Sequence, residues 1–165
     1  MVKPAFLSRA WQDMAAVYRA PDLAAACLTM QERFDADVPL LLLLCLADQY
    51  GAAASRDDLL AFFERADDWR ETVIRPIRQV RQAMKLSFTG PDENGLRDAV
   101  KKLELEAERL HVMRLAEAYP PASAHQIGAA ATYLAQRHVP EAEARAFIET
   151  FSSAFDAQVR VAAHD

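Results

Sequence analysis

Apolar residues recur along this chain at intervals of three and four, the period of α-helices with one buried face. Phe6, Ala10, Met14 and Val17 share one side of a first helix that ends before Pro21. Pro21 suits the first position of a second helix, where an N–H has no partner to lose, and Leu23, Cys27, Met30 and Phe34 form that helix's core face. Either Asp35 or Asp37 can cap the third helix. Its run from Leu40 to Leu46 is apolar on every side, which predicts a place at the centre of a bundle, and Gly51 marks its end.

Ser55 followed by Asp58 has the spacing of a capping box in its shorter acidic form, opening a brief fourth helix with Leu59, Phe62 and Phe63. Asp68 with Glu71 is a second start signal close behind. Trp69, Val73, Ile77, Val80 and Met84 then lie on one side of a fifth helix. Pro76 falls inside it, and because the apolar phase runs through the proline we expect a kink, with a break at Arg75 as the alternative.

Gly90 to Gly95 reads as the clearest loop. Leu96, Val100, Leu103, Ala107, Leu110 and Met113 mark the face of a long sixth helix stopped by Pro120 and Pro121. Ser123 with Gln126 predicts the start of a seventh, carrying Ile127, Ala131 and Leu134. Pro140 opens the eighth, whose stripe is Ala144, Ile148, Phe151, Phe155 and Val159 with Phe147 on the flank. From Ile148 to Val159 this stripe equally suits the core or a homodimer face. No strand-like alternation occurs. The expected fold class is all-α, a compact bundle of seven to eight helices around a central leucine-rich helix, with residues 1–165 as a single domain.

Composition narrows the function classes. Hydrophobic residues make up 52% and charged residues 26%, with only 4 glycines, few for a turn-dense β architecture. The net charge of -5 argues against general nucleic-acid binding, because phosphates select a basic surface. The longest apolar stretch, Val38 to Ala47, is about half of what a membrane-crossing helix needs. Arg9 and Asp13 interrupt any secretory apolar region. Cys27 and Cys45 lack the spacing of a disulfide framework or a zinc site. These features predict a cytoplasmic protein with no transmembrane segment and no cofactor.

Catalytic and nucleotide-binding motifs are missing. Glycines at 51, 90, 95 and 128 are too scattered to cradle a phosphate, no HExxH or GxSxG occurs, and the histidines lie apart. Glu108 and His111, with Glu104 one turn earlier, have the spacing of half a di-iron carboxylate site, but no second ExxH completes it, and no metal ligands are assigned.

More telling is the polar side of the fifth helix, where Arg70, Arg75, Arg78, Arg81 and Lys85 cluster across roughly 140°. Planar guanidinium groups suit carboxylates or phosphates of a partner. Glu104, Glu106 and Glu108 of the sixth helix are the competing partners within the chain, and exposed pairs with them are worth only about 0 to 1 kcal/mol each. Trp69 reads as an anchor in the core before it reads as a stacking ring.

Several segments resemble a proteobacterial family of uncharacterised proteins of similar length: Pro21 through Cys27 with Leu28 and Gln31, then Asp37, Val38 and the leucine run to Cys45, a W-R-x(5)-P-x-R-x-x-R-x(3)-K run from Trp69 to Lys85, and the acidic stretch from Glu104 to Glu108. The likeness spans roughly residues 6 to 119. It implies a small helical bacterial protein and no activity. Pro39, where a polar residue is expected, and the stretch from Ala47 to Tyr50 depart from that family's pattern.

Two functions fit these observations. The first is a non-enzymatic interaction or adaptor protein that presents Trp69, Arg70, Arg75, Arg78, Arg81 and Lys85 to an acidic protein or anionic ligand. The second is a carrier of a small hydrophobic ligand, held beside the leucine-rich helix near Phe62, Phe63, Phe147 and Phe151.

Overall fold

The computed structural model describes residues 3–125 and 127–160, and every regular element among them is helical. A 3₁₀ turn, Ala5–Arg9, leads into α1 (Ala10–Val17), α2 (Pro21–Phe34), α3 (Val38–Gln49), α4 (Arg56–Trp69), α5 (Arg75–Ser87), α6 (Pro91–Ala118), α7 (Ala129–Gln136) and α8 (Glu141–Phe155). The all-α bundle expected from the apolar period is the fold observed.

Its axis is α3. Each residue from Leu40 to Ala47 is at most 3% exposed, because α1, α2, α6, α7 and α8 pack around the helix. Asp37 caps its start, with Oδ1 accepting the Leu40 N–H at 3.2 Å, and Pro39 sits in the first turn, where no N–H is needed. At the far end Gly51 takes φ +60°, a conformation that favours glycine, and Ala52 donates its N–H back to the Ala47 carbonyl at 2.8 Å.

The same helix caps another. Asp48, in the last turn of α3, accepts the Ala129 and Ala130 N–H groups on its two carboxylate oxygens at 2.8 and 3.0 Å. Thus α7 begins at Ala129, not at Ser123 as its sequence suggested. Ser123 instead donates its N–H to the Ala53 carbonyl at 3.1 Å, and Gln126, the other half of that expected cap, lies outside the described residues.

Asp37 has a second task inside the core. Its Oδ2 lies 2.7 Å from His111 Nε2, both side chains being 1% exposed, and its backbone N–H donates to the Tyr133 hydroxyl at 2.8 Å. One aspartate therefore joins α3, α6 and α7.

The expected fourth and fifth helices are one continuous rod. A π turn, Arg70–Ile74, links α4 to α5. Arg75 donates its N–H five residues back, to the Arg70 carbonyl. Pro76 follows directly, and the widened turn accommodates a residue that has no N–H to give and would crowd a normal helical turn. The Asp68 and Glu71 start signal is unused. Similarly, the glycine-rich stretch after Gly90 is mostly the first turn of α6, with Pro91 at its head and Asp92 and Glu93 favouring the positive end of the helix dipole.

Two expected core faces are not covered. Helix α5 packs chiefly on α6 and has no buried residue, while the buried positions of α6 run from Glu104 to Leu115. Together α5 and the first half of α6 form an arm beside the bundle. Val80, Leu96, Leu103, Leu110 and Met113, which the period places on core faces, are between 36% and 59% exposed. Helical period reports that a face is apolar, and it carries no information on what covers that face. In α8 the outcome differs: Phe151, Phe155 and Val159 are buried and Ile148 packs against the core.

Replacing Asp37 with alanine is expected to lower unfolding free energy by about 3 kcal/mol, combining a lost cap with a stranded buried imidazole. Tyr133→Phe should cost only about 1 kcal/mol. Urea denaturation of the two variants measures both, and equal losses would contradict the dual role of Asp37.

Candidate functional site

The basic strip divides into two networks. At the first, Asp35 ends α2 in the left-handed conformation, φ 51°, which brings its carboxylate and carbonyl toward the π turn. Arg70 Nη2 donates to both its carbonyl and its Oδ1 at 2.8 Å. Arg75 Nη2 donates to both carboxylate oxygens at 3.0 Å and also reaches Glu71, its Nε lying 2.7 Å from Oε2. Arg137, just past α7, donates to the Asp35 carbonyl at 2.6 Å and to Oδ2 at 3.1 Å. Burial pushes the Asp35 carboxyl up, but Arg70, Arg75 and Arg137 together bring it below the ordinary aspartate value.

The second network joins α5 to α6. Arg78 Nε donates to Glu104 Oε1 at 2.7 Å, and its Nη2 to Glu108 Oε1 at 2.9 Å. Arg81 donates to both oxygens of Glu104. The Glu104 side chain is 8% exposed, and burial pushes its carboxyl up, yet the bonds from Arg81 and Arg78 hold it below its ordinary value. Glu108, bonded by one arginine, is shifted the other way: burial raises its carboxyl despite Arg78.

The remaining strip residues lie elsewhere. Trp69 is half-buried, with Nε1 donating to the Ala107 carbonyl at 3.1 Å and the Arg114 guanidinium 4.9 Å from its ring. Lys85 is exposed and, among the described residues, in no ion pair. Glu106 pairs with Arg109 of its own helix at 2.6 Å. The structure thus brings Arg70 with Arg75 to Asp35, and Arg78 with Arg81 to Glu104, and it does not gather the five basic residues into one open array.

The half di-iron spacing also separates in space. Glu104 and Glu108 turn to the arginines while His111 turns to Asp37. Among the described residues no group of three or more His, Cys, Asp or Glu side chains is arranged to hold a metal ion.

Between the arm and the bundle lies a half-open cleft of about 470 Å³. Trp11 and Tyr18 of the N-terminal region, Cys27, Leu28 and Gln31 of α2, and Val38 and Leu42 of α3 form one wall, and Arg78, Arg81, Glu104, Leu105 and Glu108 of the arm form the other. Burial pushes the Cys27 thiol up to about 12, so at neutral pH it lines the cleft as an uncharged group and not as a thiolate nucleophile. The phenylalanines expected to flank a ligand pocket are elsewhere: Phe62, Phe63, Phe147 and Phe151 are buried in the core.

Sequence reasoning missed Asp35 and Arg137 as partners of the strip, and Trp11 and Tyr18 as cleft residues. Asp35 followed by Ala36 and a second aspartate did signal a helix junction. Nothing local marked the side from which Arg137, about a hundred residues away, would approach it.

These features define an all-helical protein in which paired arginines and carboxylates hold an arm beside the bundle and border a cleft. The chain belongs to the family described as protein of unknown function DUF2390, whose model matches residues 9–115. That span contains α1 through most of α6, and with them every residue of the cleft. No curated protein and no solved structure matches the chain significantly.

Glu104→Gln is expected to lower stability at neutral pH by about 2 kcal/mol, since two charge-assisted bonds weaken together. The folded-state pKa of Glu104 lies below its unfolded value, so its stabilisation is complete above the ordinary glutamate range and is lost as pH falls through the depressed value. The difference between wild type and variant should therefore shrink below about pH 4. Urea midpoints at pH 7, 5 and 3 test this, and a pH-independent difference would contradict it.

Proposed function

We propose that the protein is a non-enzymatic interaction protein whose α5–α6 arm docks one acidic amphipathic helix of a partner. The observation that carries this reading is the concentration of exposed apolar side chains. Of eleven large apolar residues exposed among the described residues, eight fall between Val80 and Met113, and all of these except Leu105 lie outside the cleft. Such surface concentrated on one element marks an interaction site more often than scattered exposure does.

Its spacing favours a helix as the occupant. Leu96, Leu103 and Leu110 recur every seven residues and Met113 follows three later, the period with which one helix forms a seam against another. Charge favours an acidic one. Residues 75 to 114 contain nine basic and six acidic side chains, whereas the remainder contains ten basic and eighteen acidic. Arg70, Arg75, Arg78 and Arg81 are engaged by carboxylates of this chain, whereas Lys85, Lys101 and Lys102 are exposed on the flank of the arm beside Arg81 and leave charge for the edge of a partner helix. On this reading the Trp69 to Lys85 run, which we take as a signature of a proteobacterial family, builds the arm, and the arm's outer face makes the contact.

A labelled peptide with leucines at seam positions and glutamates elsewhere should bind with a dissociation constant of about 1 to 50 μM by fluorescence anisotropy. Its lysine counterpart should not bind. Leu103→Glu should weaken binding at least about tenfold while the melting temperature stays within about 2 °C, since the position is exposed. Unchanged affinity in that variant would overturn the proposal. A concentration-dependent dimer that Leu103→Glu dissociates, seen by sedimentation velocity, would assign the face to a second copy of this chain instead.

A further inference from the structure

We propose that the cleft on the inner side of the arm binds an amphipathic organic cation, an ammonium group on an apolar body, with its head between Glu108 and the aromatic rings and its body along α3. This site is separate from the outer face of the arm, and its volume of about 470 Å³ is in the range of small-molecule sites.

The body of the ligand follows from the cleft's rim. Tyr18, Leu28 and Leu105 line the opening and are 47%, 52% and 56% exposed. Deeper in, Met14, Val38 and Leu42 continue the apolar wall. An apolar body of moderate length covers these surfaces together, and water does not.

The head follows from the state of the carboxylates. Glu104 accepts from both Arg78 and Arg81 on its two oxygens. Glu108 accepts one bond, on Oε1 from Arg78, and among the described residues no donor reaches its Oε2. Its carboxyl is raised by burial in spite of that arginine, so nearby positive charge falls short of what this group would use. Trp11 and Tyr18 line the same cleft, and aromatic rings attract ammonium groups and disfavour anions. Arg78 and Arg81 also border the space, but each already spends its Nε and one terminal nitrogen on Glu104 or Glu108. Carboxylate, aromatic rings and apolar wall converge on one ligand class.

Isothermal titration of the intact protein with decyltrimethylammonium and with decanoate, both below their micellar concentrations, tests the assignment. The ammonium compound is expected to bind with a dissociation constant on the order of 10 to 100 μM, and decanoate at least about tenfold more weakly. Glu108→Gln should reduce ammonium affinity about tenfold. Tyr18→Leu keeps the rim apolar at an exposed position where folding is little affected, and it should weaken the ammonium compound several-fold while leaving decanoate unchanged. Leu103→Glu, on the arm's outer face, should leave both affinities unchanged, which separates this site from the helix-docking face. Equal affinity for the two heads, preference for decanoate, no binding of either, or ammonium affinity untouched by both Glu108→Gln and Tyr18→Leu would each overturn the proposal.

Discussion

A helix that is apolar on every side leaves no face for water, and so α3 requires neighbours all round it. That requirement organises the bundle: α1, α2, α6, α7 and α8 each contribute a face to α3. Hydrophobic burial has no direction of its own, and the polar groups at the two ends of α3 provide the direction. Asp37 at the start fixes His111 of α6 and Tyr133 of α7. Asp48 at the end supplies the start of α7 with acceptors its own sequence lacks. Two aspartates on one apolar helix thus settle where its neighbours begin and how they are turned.

The arm is held by a different kind of interaction. Helix α5 has no fully buried residue, so its packing on α6 is supplemented by polar contacts. Its attachment combines the Trp69 contact to the Ala107 carbonyl, the Arg70 and Arg75 grip on Asp35, and the Arg78 and Arg81 grip on Glu104. The first network ties the root of the arm to the end of α2, and the second ties its two helices together. Buried or half-buried charge pairs of this kind contribute little when compared with apolar replacements, yet breaking one partner strands the other and is strongly destabilising. They set the position of the arm more than they add to overall stability.

That position has two consequences for function. The outer face of the arm keeps a seven-residue leucine repeat uncovered, and the inner face closes a cleft against α1, α2 and α3. The arginines that made the fifth helix conspicuous serve both faces indirectly, because they hold the arm in place. Their pairing with Asp35 and Glu104 accounts for a dense basic run in an acidic protein without requiring that each guanidinium meet a partner molecule.

The sequence by itself determined the helical class, the buried faces of α1, α2, α4 and α8, the central place of α3 and the cap at Ser55, whose hydroxyl accepts the Asp58 N–H. All of these are local: they depend on residues three or four apart on one helix or at its end. Only the tertiary structure decided which apolar faces were covered, so that Phe151 and Phe155 became core while Leu96 and Leu103 did not, although all four have the same helical spacing. It likewise decided that α7 would be capped from α3, that Pro76 would ride on a π turn, and that Arg70 would meet Asp35. Those outcomes join residues up to about a hundred positions apart, and a periodic pattern records the direction a side chain takes from its own helix but not the element waiting on that side.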